Sequence, residues 1–345
     1  MKPNRNRMPF YILIVGLLTL ILLLPAMIVL PFSDKVDQQM TEPTTQSDNK
    51  KNTEPIVFNS DVDVSVYKTE SKTIETLPLE DYVKGVVAAE MPANFEMEAL
   101  KAQALTARTY IIKMLLNPAD MNLPEGADIT DSILHQVYAS DEQLKQIWGK
   151  HYESKMKKIA QAVKETEGKI ITYDGKPIEA SFFSTSNGKT QNSEDYWPSS
   201  IPYLRSVESP WDKDSPKYFY QQAFSVDEVE SRLNITLKED GEVGKVISRT
   251  SGNYIDIIEI DGKKLKGKDI RVSLGLKSSD FTILKKNDQV IIQTRGYGHG
   301  VGMSQYGANG MAQEGNSYKD IIAHYYNGVK ITDTKAYTAK LTASN

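Results

Sequence analysis

Glu90 closes the run Val86-Val87-Ala88-Ala89-Glu90-Met91-Pro92, a carboxylate among apolar residues. The spacing of Leu79, Tyr82, Val83, Val86 and Val87 predicts a helix over 79–90. Met91-Pro92 ends it, because a residue before proline avoids the helical region. A carboxylate there faces the negative end of the helix dipole, and burial disfavours its charge further. Both effects raise the pKa, toward the range in which a carboxylic acid donates a proton near neutral pH. Taken alone, these residues fit a solvent-facing glutamate more simply. Lys101 and Arg108, flanked by Gln103 and Thr109, lie two turns apart on a second helix expected over 99–116. They share a face and offer two cations to an anionic or polyhydroxyl ligand. A solvated stripe is the default reading of such a face.

A third group is the stretch Arg295-Gly296-Tyr297-Gly298-His299-Gly300-Val301-Gly302-Met303-Ser304-Gln305-Tyr306-Gly307-Ala308. Its alternating glycines permit tight turns and close backbone approach. His299, Ser304, Gln305 and Tyr306 bring an imidazole, a hydroxyl, an amide and a phenol together. A plain structural bend is the alternative, but the density of functional groups favours a site. No βαβ unit with a following acidic residue supports a dinucleotide loop, and no Gly-Lys-Ser/Thr supports a P-loop. The segment Ser181–Thr190, with Ser184 at its centre, reads equally as the polar rim of a sugar site or as a turn. Tyr196, Trp197, Tyr203 and Trp211 suit sugar stacking or simple packing.

Composition removes other chemistries. The 345 residues include no cysteine and four histidines, which excludes disulfides, thiol nucleophiles and cysteine-type metal sites. The histidines lack ligand spacing, and no Gly-x-Ser-x-Gly elbow is present, so neither a metal centre nor a serine triad is expected. Lys plus Arg number 41 against 45 Asp plus Glu, a net charge of −4 that argues against nucleic acid as a partner. No cofactor is expected.

The elements that must position these residues follow from pattern. Residues 8–32 carry no charge and are long enough to span a bilayer as a helix. Lys2, Arg5 and Arg7 precede them, so residues 1–7 are expected in the cytoplasm and the bulk outside it. A cleaved signal peptide is the alternative; the run exceeds a usual h-region, and no small-x-small site closes it. Residues 33–55 are polar and read as a flexible linker. The folded part, 56–345, mixes helices and strands without regular alternation, so an α+β fold with a substrate groove is expected. Strands are expected around Val62–Val66, 254–260, 281–284 and 289–294. A hairpin is expected from 169 to 183 about Asp174-Gly175. Helices are expected over 155–167, from the Ser225 capping box to Leu233, and over 303–314 and 318–326. Residues 117–150 carry no clear pattern and are expected to include a long loop.

Together these blocks resemble the stage II sporulation protein D family of endospore-forming bacteria. The resemblance rests on 77–92 (LPLEDYVKGVVAAEMP), 99–110 (ALKAQALTARTY), 183–190 (FSTSNGKT) and 296–308 (GYGHGVGMSQYGA), in that order. It implies a membrane-anchored lytic transglycosylase that cleaves denuded peptidoglycan glycan strands during engulfment, at the mother-cell side of the sporulation septum. Glu90 is then the catalytic acid. Stage II sporulation proteins P and M are the implied partners, the former an amidase and endopeptidase that removes stem peptides first. On this resemblance Lys101 and Arg108 would position the muramyl carboxylate. Ser184, His299, Ser304, Gln305 and Tyr306 would hydrogen-bond the sugar. Some members hold zinc through cysteine and histidine near the third block. Here Phe183 stands where a histidine often does, so no metal is expected. A lytic transglycosylase needs one carboxylic acid where a hydrolase needs two, because the sugar's own 6-hydroxyl attacks. The rival reading is a non-catalytic, membrane-tethered glycan-binding activator of a cell-wall amidase.

Overall fold

The computed structural model describes residues 56–58, 60–118, 123–132 and 135–342. The expected cytoplasmic N-terminus (1–7), anchor (8–32) and linker (33–55) lie outside the described residues. No helix among the described residues is long and apolar enough to cross a membrane. Residues 56–345 form one compact unit, and its mixture of helix and sheet matches the α+β expectation.

The chain opens with strands β1 (Asp63–Lys68) and β2 (Thr73–Pro78), an antiparallel pair in which Val66 faces Glu75. Val64 and Val66 point inward and are fully buried, as the alternation requires. Helix α1 (Leu79–Glu90) follows directly, with Glu80 and Asp81 in its first turn. Helix α2 (Met97–Leu116) is the centre of the molecule. It packs against α1 and the later helices α4, α8 and α9. An amphipathic surface helix would keep one wet face; α2 instead buries Ala99, Ala102, Ala104, Ala107, Ile111 and Ile112 on several sides. Its small residues let neighbours approach from every direction.

The described residues between 117 and 150 hold more secondary structure than the sequence suggested. Strand β3 (Ile129–Thr130) runs parallel to β1. Helix α3 (Asp141–Trp148) starts at a capping box made by Ser140 and Gln143. Helix α4 (Tyr152–Glu165) leads to β4 (Lys169–Tyr173) and β5 (Lys176–Pro177). The expected hairpin is cut short: β5 is only two residues long, and β6 (Phe182–Phe183) leaves to pair elsewhere. Helix α5 (Ser193–Tyr196) is a single turn.

A second lobe has its own apolar core, including Val229, Ile255, Ile258, Ile270, Phe281, Val290 and Ile292. Its elements are β7 (Phe219–Ser225), α6 (Val226–Leu233), β8 (Gly241–Glu242), β9 (Lys245–Arg249), β10 (Ile255–Ile260), β11 (Lys263–Lys266), α7 (Gly267–Leu274), β12 (Phe281–Lys286) and β13 (Gln289–Arg295). One sheet has the order β7-β13-β12-β8 and the other β11-β10-β9. Ser225 caps α6 by accepting the Glu228 N–H, and Asp261-Gly262 turns β10 into β11 with positive φ at both residues.

The chain then returns to the first core. Strand β14 (Met303–Ser304) pairs in parallel with β6, and helix α8 (Gln305–Gln313) follows it. The expected helical start at Met303 is therefore a strand. Helix α9 (Tyr318–Tyr325), strand β15 (Lys330–Asp333) on β4, and helix α10 (Lys335–Thr342) complete the described chain.

Candidate active site

Glu90 is the last residue of α1, half-buried, on the floor of a cleft of about 530 Å³. The walls come from residues 135–137, residues 180–184 and the glycine-rich loop at 297–299, with Gln305 beside them. Glu90 is presented there because the rest of its helix is locked into the core: Tyr82, Val83, Val86 and Val87 are fully buried. Glu90 Oε1 accepts the Val137 N–H at 3.0 Å. Burial pushes its pKa up; the Val137 N–H, a hydrogen bond from Gln305 and the charge of Lys217 hold part of that rise back. Among the described residues that line the cleft, Glu90 is the one carboxylic acid.

The loop carrying His299 is shaped by its glycines. At Gly302, φ is +82° and an added Cβ would lie 2.1 Å from the Ser181 carbonyl oxygen. At Gly298, φ is +130° and a Cβ would meet that of Phe183 at 2.6 Å. Only glycine allows this backbone to lie against the 181–183 segment. His299 is wedged among the rings of Trp197, Phe183 and Tyr196, with centroids 5.2, 5.5 and 5.7 Å away. Its Nδ1 accepts the Val301 N–H at 3.1 Å. Burial, assisted by the Arg271 charge, lowers its pKa to about 4 against a backbone hydrogen bond at Phe182. The imidazole is neutral at physiological pH.

His299, Ser184 and Gln305 thus line the same cleft as Glu90. The other expected ligands do not. Arg108 is wholly buried and grips Glu80 with its Nε and Nη2, at 2.8 and 2.6 Å. Its Nη1 donates to the Lys169 carbonyl at 3.2 Å. It ties α1 to α2 and β4, and no part of it reaches the cleft. Lys101 bonds Glu98 at 2.6 Å and also Glu165, joining α2 to α4. Both cations were candidates for holding a ligand from one helix face; instead Arg108 is enclosed in an internal ion pair and Lys101 is engaged by partly exposed carboxylates. Ser304 is fully buried, donates to Asp212 at 2.5 Å and caps α8 through the Gly307 N–H. Tyr306 packs edge-on against Phe95 at 4.9 Å and is not among the cleft-lining residues.

Sequence reasoning passed over Lys217, Tyr110, Gln136 and Tyr297, which line the cleft. Tyr297 stood inside the glycine-rich motif; Lys217 carried no local signal.

The donor set does not fit the zinc site of some family members. Phe183 offers no ligand atom, and His299 Nδ1 is already occupied by a backbone N–H. The described residues hold no cluster of three histidine, cysteine or acidic side chains suited to a metal.

Comparison of the sequence with known proteins gives the family. A family model described as "Stage II sporulation protein" matches residues 67–173, from β1 to the end of β4. Stage II sporulation protein D of Bacillus amyloliquefaciens is 48% identical over 340 residues, covering 97% of this chain and 99% of that protein. Its counterpart in Bacillus subtilis (strain 168) is 47% identical, covering 97% and 98%. The protein named amidase enhancer of the same strain is 29% identical over 305 residues, 72% of this chain and 40% of its own length. Near-complete coverage at this identity leaves one conclusion: the chain belongs to the stage II sporulation protein D family, whose named members are sporulation proteins of Bacillus.

Proposed function

We propose that the protein is a lytic transglycosylase of peptidoglycan, with Glu90 as its acid and base. The observation that carries the reading is the lone, half-buried carboxyl on the cleft floor, its pKa raised by burial. A protonated Glu90 gives its proton to the oxygen linking N-acetylmuramic acid to N-acetylglucosamine, and the C1–O bond breaks. The C6 hydroxyl of the same muramyl residue bonds to C1, and its proton passes to the Glu90 carboxylate. No water is consumed, and the product carries a 1,6-anhydro end. The Val137 N–H and Gln305 orient the carboxyl, Ser184 supplies a hydrogen bond to a sugar hydroxyl, and neutral His299, its ring nitrogens engaged by backbone, packs the cleft wall. In this proposal residues 8–32 anchor the chain, and residues 56–345 work outside the cytoplasm beside stage II sporulation proteins P and M.

Likeness to a protein named amidase enhancer supports a second reading, in which the cleft grips glycan and activates an amidase without cutting. Mass spectrometry of stripped glycan strands incubated with the full chain separates the two. Lytic cleavage yields fragments one water lighter than hydrolysis would, and Glu90→Gln abolishes them while strand binding persists. Intact strands with the unaltered chain, or normal cutting by Glu90→Gln, would overturn the proposal.

A further inference from the structure

A track of paired lysines and tyrosines leaves the cleft on the side of the second lobe. Lys217 lines the cleft with Glu90, and its charge bears on that carboxyl. Its ammonium lies 5.4 Å from the centroid of the Tyr297 ring. Lys277 lies 5.1 Å from the same ring and 5.4 Å from the ring of Tyr220, which is 44% exposed at the start of β7. The order outward is therefore Lys217, Tyr297, Lys277, Tyr220.

Three elements far apart in sequence meet here. Tyr220 is opposite Thr294 across the β7–β13 ladder, which brings the segment before β7 beside the glycine-rich loop. The Lys277 carbonyl accepts the Gly298 N–H at 2.9 Å, pinning the stretch after α7 to that loop. Among the described residues neither lysine forms a salt bridge, unlike Lys101 and Arg108. Ring faces attract ammonium groups and hold them in place without neutralising them. The result is two positioned cations outside any salt bridge, one of them within reach of the Glu90 charge, spaced along an aromatic strip that continues the cleft.

We propose that Lys217 and Lys277 form the specificity site for the free lactyl carboxylates of a denuded glycan strand. This rests on the glycan-binding reading of the cleft and names what makes the strand acceptable. While a stem peptide is attached, the lactyl group is a neutral amide; removal of the peptide leaves a carboxylate on every muramic acid. An ammonium distinguishes the two by charge, and the tyrosine rings offer flat faces to the intervening sugars. The charge-reading role that sequence suggested for Lys101 and Arg108 thus passes to cations that remain available.

The test is binding by the full chain carrying Glu90→Gln, so that no strand is cut. One ligand is soluble denuded strand; the other is the same strand with its lactyl carboxylates chemically amidated. The Glu90→Gln chain is expected to bind the carboxylate form about fivefold to tenfold more tightly, a preference that weakens with salt. Lys217→Gln and Lys277→Gln should each reduce it, and the double variant should bind both strands alike. Lys245→Gln, an exposed lysine on β9, should leave it unchanged. Equal binding of both strands by Glu90→Gln, or a full preference in the double variant, would overturn the proposal. Absence of binding to either strand would overturn the glycan reading with it. Carboxylate preference without cleavage by the unaltered chain would instead overturn only the transglycosylase chemistry.

Discussion

Glu90 carries its charge at a cost set by burial, and three neighbours work against that cost. Their removal has a definite sign. The proposed cleavage requires the protonated acid, so activity should fall as pH rises through the Glu90 pKa. Lys217→Gln deletes a charge that lowers this pKa, and Gln305→Ala deletes a hydrogen bond with the same effect. Both variants should move the alkaline limb of the pH–rate profile to higher pH; a shift the other way would mean another group titrates. His299 works in the opposite sense. Its pKa is about 4 in the folded protein against 6.5 for the free side chain, so between these values the unfolded chain binds more protons. Stability therefore rises with pH across that window. Acidification from pH 6.5 to 4 should lower the melting temperature more in the parent protein than in His299→Gln, where this contribution is gone.

At the scale of elements, the Arg108–Glu80 pair shows how α2 became a centre. Its partners lie 28 to 61 residues away and come from α1, α4 and β4. Arg108→Met leaves the Glu80 carboxylate buried without its cation, which should cost about 3–5 kcal/mol in denaturant unfolding. Arg108→Met with Glu80→Leu should recover a large part of that loss, because no unpaired charge remains. The β6–β14 pairing offers a second case. Gly302→Ala places a methyl group against the Ser181 carbonyl at positive φ, with a backbone cost of about 1–3 kcal/mol. It should also lower cleavage, since the same loop holds His299 in the cleft wall.

For the whole molecule, the arrangement of two cores determines where the cleft can be. The first core fixes Glu90 through α1, and the second core returns the chain to it through β13 and the glycine-rich loop. The proposed lysine track is centred on Tyr297 of that return, with Lys217, Tyr220 and Lys277 brought to it from earlier in the chain. Residues 56–345 form a unit of their own, so a chain beginning at residue 56 should remain in the aqueous phase with an unchanged melting transition. The full chain should partition into membranes. Recovery of the full chain in the aqueous phase would remove the proposed anchor.

The sequence by itself missed β7, β8, β9 and β11, but it determined the helices α1, α2, α6 and α9, the strands β10, β12 and β13 of the second lobe, and the place of Glu90 at a helix end. These depend on apolar spacing, capping residues and turn glycines, all local signals. It also marked His299, Ser184 and Gln305, because an unusual glycine pattern or hydroxyl cluster surrounded them. Tertiary structure alone decided the fate of charge. Lys101, Arg108 and Ser304 look like ligands until their partners on other elements are seen. Lys217 and Lys277 look like ordinary surface lysines until the β7–β13 ladder and the Lys277–Gly298 hydrogen bond set them beside Tyr297. Whether a charged side chain is paired internally or left free to meet a ligand depends on groups tens to hundreds of residues away, and no local pattern records them.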